Sequence, residues 1–152
     1  MELSAAVIEL TPGAELERRI IDLLRFRLYS FAAAIDARRG DVAAAGRHLE
    51  QAIAILPDDG YTRFAMGEVL MAQGRRSAAA RAYRTAAERE PFHAAAQLKV
   101  ANGDITQGRF STAVQALESL LKFSPVLTEP ERAEALALIG IAAGRGRDLT
   151  RA

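Results

Sequence analysis

Proline and glycine recur along the chain with a single period. Three prolines are separated by steps of 34 residues, and each follows a glycine by 17 residues: Pro57, Pro91, Pro125 and Gly40, Gly74, Gly108. Proline stops a helix because it has no N–H to donate, and glycine readily adopts the left-handed conformation that ends one. A fixed period of this length predicts a repeated helix–turn–helix unit.

Two further columns keep the same register. A small residue follows each glycine by five positions, and a bulky apolar residue follows it by nine: Ala45, Ala79, Ala113 and Leu49, Tyr83, Leu117. Apolar residues between glycine and proline recur at helical spacing, which is typical of one face of an amphipathic helix. The alanines are expected to let two helices approach closely, so that larger side chains there would overpack the core.

A unit of 34 residues with these columns resembles the tetratricopeptide repeat. Its register gives repeats at 26–59, 60–93 and 94–127, and the second matches best. The family's tryptophan at position 4 is absent, since Tyr29, Arg63 and Gln97 stand there. The resemblance implies an all-α fold, a right-handed solenoid of antiparallel helix pairs.

Helices are also predicted on both sides of the repeats. Thr11-Pro12 is a capping hydroxyl followed by proline at the first helical position, and an apolar stripe continues to Arg39. Residues 1–25 are therefore interpreted as an arm and a backward extension of the first repeat's helix. A second helix start at Thr128 makes 128–152 a C-terminal capping helix or a truncated fourth repeat.

Composition argues against several classes of function. Twenty basic residues face nineteen acidic ones, a net charge of +1, whereas nucleic-acid binders usually carry a marked basic excess. The arginines between 75 and 89 fit a solvated helix face, with Arg81 and Arg84 pointing outward. There is no cysteine, no uncharged run long enough to span a bilayer and no secretory signal, so a cytoplasmic protein is expected.

Catalytic chemistry has little support in the sequence. The histidines, His48 and His93, lie 45 residues apart and belong to no cluster with ligand spacing. No phosphate-binding glycine loop or nucleophile elbow is present. We therefore expect that the chain is not an enzyme and that it binds neither a metal ion nor a cofactor.

In the family that the repeats resemble, the first helices of successive repeats line a concave groove. Transferred by register, the positions predicted to bind a peptide are Arg27, Ser30, Arg38, Tyr61, Phe64, Glu68, Met71, Leu98, Asn102 and Ile105. Some members hold an acidic C-terminal tail with lysine and asparagine, but Ser30, Ala34, Ala65 and Ala95 stand at those positions.

The predicted function is therefore that of an adaptor or scaffold whose groove takes an apolar peptide or amphipathic helix. Substituting Tyr61 or Phe64 by alanine is expected to abolish binding with little effect on stability. The alternatives are a protein like the chaperones of type III secretion translocators, which share the architecture, and a self-assembling scaffold. Homo-oligomers could form through the N-terminal arm or the C-terminal helix, and the arm or a second copy could fill the groove.

Overall fold

The computed structural model describes residues 12–91, 93–124 and 127–149. In these residues the chain forms seven α-helices and no strand. Their bounds are α1 Pro12–Arg39, α2 Val42–Ile55, α3 Gly60–Ala72, α4 Arg76–Arg89, α5 Ala94–Thr106, α6 Phe110–Phe123 and α7 Glu129–Leu149. Each of α1/α2, α3/α4 and α5/α6 is a packed pair, and successive pairs stack into a helical solenoid. The predicted all-α repeat architecture is confirmed.

Glycine makes the turn inside each pair. Gly40, Gly74 and Gly108 have φ angles of 80°, 74° and 77°, in the left-handed region that other residues resist. At the second turn the Gly74 N–H donates to the Met71 carbonyl and the Arg75 N–H to the Leu70 carbonyl, which satisfies the end of α3. The predicted role of the glycine column is confirmed.

Polar side chains begin the first helix of each later pair. The Asp59 carboxylate accepts the Thr62 N–H at 2.7 Å, and Nδ1 of His93 accepts the Ala96 N–H at 3.4 Å. Thr128 and Glu131 form a reciprocal capping box at the start of α7. The Thr128 start is confirmed, and α1 begins at Pro12 as expected; Thr11, the arm at 1–10 and Pro125 lie outside the described residues.

The alanine column lies where the helices of a pair touch. Ala45, Ala79 and Ala113 are fully buried, and the bulky residues four positions later are buried beside them. Gly67 provides a second close contact, because a Cβ there would lie 2.4 Å from Cε1 of Tyr83. The Tyr83 ring therefore lies directly against the backbone of α3.

The two ends of the solenoid differ. At the C-terminal end, α7 packs on α5 and α6 through Ala135, Leu138 and Ala142, and so covers the last apolar face. At the other end α1 packs on α2 and scarcely contacts α3. Large apolar side chains of α1 remain exposed, among them Leu24, Leu28 and Phe31.

One outward arginine has a partner that the sequence did not indicate. The Arg84 guanidinium lies 3.3 Å from the carboxylate of Asp104, a buried residue of α5 that Arg109 also contacts. Arg84 is exposed, as its outward position predicts, and it also joins the second repeat to the third. No helix of the described chain is long and apolar enough to cross a bilayer.

Candidate peptide-binding groove

A wide cleft separates α1 from α3. Its larger cavity has a volume of about 750 Å³. Leu49 of α2 lies at the bottom of this cavity. The walls come from α1 and from the start of α3, and include Leu23, Phe26, Arg27, Phe31, Tyr61 and Ala65. Because α1 and α3 scarcely touch, this space is open along both helices.

A second cavity of about 340 Å³ continues the cleft towards the turn at Gly40. The two share Ser30, Ala34, Leu49 and Ala65, so they form one surface, called here the α1–α3 groove. Small residues on both helices account for its width. Oγ of Ser30 is buried in this wall and has no hydrogen-bond partner in the described chain.

An aromatic cluster forms one side of the groove. The ring centroids of Tyr61 and Phe64 lie 4.6 Å and 4.7 Å from that of His93, and Phe64 also lies 5.5 Å from Tyr83. Burial among these rings lowers the pKa of His93 from its ordinary value of 6.5. Only the neutral imidazole has a ring nitrogen that can accept the Ala96 N–H at the start of α5. His93 therefore has a structural role as the cap of this helix.

A small polar network lies beside these aromatics. The Tyr83 hydroxyl donates to Oε1 of Glu68 at 2.5 Å, and Nζ of Lys99 lies 3.2 Å from the same oxygen. Burial and the bond to Glu68 raise the pKa of Tyr83 far above its usual range, so the phenol stays protonated. Glu68 and Lys99 neutralise each other, which leaves little net charge at this point of the surface.

The structure brings together five of the ten predicted groove residues in two adjoining cavities. Arg27, Ser30 and Tyr61 line the larger cavity, and Ser30, Phe64 and Glu68 line the smaller one. Met71 and Asn102 line a separate cavity of about 340 Å³ at the α4–α5 junction. Arg38 is exposed near the end of α1 and lines neither part of the groove.

Leu98 and Ile105 do not belong to the groove. Both are about 3% exposed and pack in one cluster with α6 and α7. The reason is the position of α7, which lies beside α5 as the next first helix would and covers these two side chains. In this arrangement neither side chain is exposed on the concave side.

Phe64 has a double role that the sequence did not indicate. It packs against the core clusters around Tyr83 and Ala86 while it lines the smaller cavity. Truncating Phe64 would therefore also disturb the core. Tyr61, which is 61% exposed, is the cleaner probe of the surface.

Three residues that the sequence did not assign to the site contribute to it. Leu23 and Phe31 line the larger cavity, and His93 holds the Tyr61 ring. The apolar stripe on α1 was visible in the sequence, but only the fold shows that it reaches the groove.

Residues 37–103 match a family model described as tetratricopeptide repeat. This segment runs from the end of α1 into α5 and contains the whole second helix pair. Residues 37–103 belong to the tetratricopeptide repeat family. No curated protein matches its sequence.

Solved structures of tetratricopeptide repeat proteins share its fold. The TPR2B domain of yeast Sti1, in its pHsp70 complex, has a TM-score of 0.66 at 16% identity, and the match covers 80% of this chain and 98% of that domain. A double mutant of MamA from RS-1 has a TM-score of 0.65 at 21% identity, and the match covers 83% of this chain and 68% of MamA.

A mutant of the Thermobaculum terrenum O-GlcNAc transferase is also similar, with a TM-score of 0.61 at 21% identity. The match covers 80% of this chain but 22% of the transferase. At these identities the likeness concerns the fold alone. Among the described residues no group of three His, Cys, Asp or Glu side chains could hold a metal ion.

Proposed function

We propose that this protein is a non-catalytic interaction module. Its α1–α3 groove binds an apolar segment of a partner protein, either an amphipathic helix or an extended peptide. The observation that carries the proposal is the cleft itself, whose larger part of about 750 Å³ lies within the usual range of roughly 300–1,000 Å³ for ligand pockets. Its lining combines exposed aliphatic and aromatic side chains with few charges.

The chemistry of the lining supports an apolar ligand over an acidic tail. Ser30, Ala34 and Ala65 are uncharged and lie in the centre of the groove. Arg27 is the basic residue of the larger cavity, and Lys99 is paired with Glu68. A carboxylate ligand would lose its hydration here without meeting a cluster of cations, which is unfavourable.

Tyr61 is the expected anchor. Exposed tyrosines supply large contact area at low entropic cost and are enriched among residues that dominate binding. The ring is held in place by His93, so little of its freedom remains to be lost when a ligand binds. Leu23 and Phe31 on the opposite wall give a ligand apolar contacts on its other side.

The test is capture of partners from a native lysate on the immobilised chain, with quantitative mass spectrometry. Tyr61→Ala should remove the captured partner, and Phe123→Ala is the matched control because Phe123 is 60% exposed at the end of α6, outside the groove. Thermal melts of both variants should stay close to that of the parent. A partner retained equally by Tyr61→Ala would contradict groove binding.

A further inference from the structure

The first half of α1 extends beyond its partner helix and is mostly exposed in the described chain. α1 has 28 residues, whereas its antiparallel partner α2 has 14 and ends at Ile55. The segment from Pro12 to about Arg25 therefore projects roughly 20 Å beyond α2 at 1.5 Å per residue. Apart from α2, no described helix packs closely on α1.

This projecting helix carries an apolar stripe that faces solvent. Leu16, Ile20, Leu24 and Leu28 recur every four residues and are 50–65% exposed. Ile21 and Leu23, both 54% exposed, widen the stripe on either side. Exposed apolar surface of this extent on a single helix marks an interaction site.

The stripe is symmetric about Asp22. Leu16 and Leu28 lie six residues to either side, Ile20 and Leu24 lie two residues away, and Ile21 and Leu23 are adjacent to Asp22. Two such helices crossing antiparallel at Asp22 place Leu16 of one copy level with Leu28 of the other. Ile20 is then level with Leu24, so the apolar stripes coincide along their whole length. A two-fold interface needs this kind of self-complementary surface.

The charges within the stripe favour the same arrangement. Glu17 and Arg27 lie five residues to either side of Asp22, and both are exposed. Antiparallel pairing brings Glu17 of one copy level with Arg27 of the other. Parallel pairing would instead bring glutamate level with glutamate and arginine with arginine, which is unfavourable.

We infer that a second copy of this chain docks on the projecting half of α1, forming an antiparallel two-fold dimer centred at Asp22. This interface shares Leu23, Arg27 and Leu28 with the α1 wall of the groove, but Ile20, Leu24 and Tyr61 each belong to one surface only. Tyr61→Ala should therefore leave the dimer intact, so that the dimer and the proposed groove binding are tested by different variants.

The first test measures the molar mass of the full chain by light scattering or sedimentation. The parent should have the mass of two chains, and the double variant Ile20→Glu, Leu24→Glu should have the mass of one, because buried carboxylates would weaken association about 100-fold or more. Leu136→Glu is the control, since Leu136 is 56% exposed on α7. A parent that is monomeric at micromolar concentration overturns the inference. The inference is also overturned if only a variant without residues 1–11 forms the dimer, or if the double variant remains dimeric.

The second test determines the direction of pairing. Because the chain has no cysteine, a single substitution by cysteine introduces one thiol per chain. In the antiparallel dimer two copies of residue 20 are about 6 Å apart along the axis, and two copies of residue 16 about 18 Å. A short bismaleimide should therefore crosslink Ile20→Cys much more than Leu16→Cys. Equal crosslinking of both variants would indicate parallel pairing and contradict the inference.

Discussion

Replacing Gly67 by alanine should destabilise the second repeat through one defined clash. The new Cβ would lie 2.4 Å from Cε1 and 2.6 Å from Cδ1 of Tyr83, far inside van der Waals contact. The ring cannot easily move, because Tyr83 is 5% exposed and its hydroxyl is bound to Glu68. Overpacking of this kind costs about 1–3 kcal/mol of unfolding free energy.

The magnitude can be isolated with a second glycine. Alanine is favoured over glycine inside a helix by roughly 1 kcal/mol, which offsets part of the clash in Gly67→Ala. Gly140 lies inside α7, and no neighbouring group of the described chain lies within 4 Å of where its Cβ would be. Gly140→Ala should therefore show the helical gain alone. The difference between the two variants should equal the clash, about 1–3 kcal/mol.

Urea denaturation followed by circular dichroism at 222 nm measures both variants. Gly140→Ala should have a higher unfolding free energy than the parent. Gly67→Ala should have an unfolding free energy equal to that of the parent or lower, because the clash offsets or exceeds the helical gain. If Gly67→Ala gains as much stability as Gly140→Ala, the Tyr83 ring does not lie against α3, and the packing described for the second repeat is wrong.

Three further predictions concern the core, the caps and pH. Ala79→Leu should lower the unfolding free energy by about 1–3 kcal/mol, because Ala79 is fully buried, and an unchanged melting curve would argue against close helix contact there. Thr128→Ala should cost about 0.5–2 kcal/mol by removing the capping box of α7, whereas Thr128→Ser should restore most of it. Because the folded-state pKa of His93 is lowered, its contribution to stability is complete above pH 6.5 and declines as the pH falls below that value. His93→Asn, which keeps a capping oxygen but does not titrate, should reduce this decline in urea titrations on either side of that pH; an identical decline in both proteins would remove His93 as the cause.

The repeat architecture was predictable because its signals are local. A glycine that must adopt positive φ, as at Gly74, and a proline that stops a helix, as at Pro57, act within a few residues of themselves. Their fixed spacing therefore gave the helix bounds almost directly. The buried alanines were predictable for a related reason, since each lies at one constant distance from its glycine.

The site was only partly predictable because it depends on contacts between distant helices. Register placed Leu98 and Ile105 on the concave side, but whether α7 covers them depends on how the last helix packs. In the same way, Arg84 reaches Asp104 across the boundary between two repeats. Spacing within one helix carries no information on such pairs.

The most direct test of the central claim is site-specific photo-crosslinking to the captured partner. A photoreactive phenylalanine placed at Tyr61, which lines the groove, should crosslink the partner. The same group at Arg81, which is exposed on α4, should not. Crosslinks from position 61 alone are the predicted result, and crosslinks from position 81 without any from position 61 would contradict binding in the α1–α3 groove.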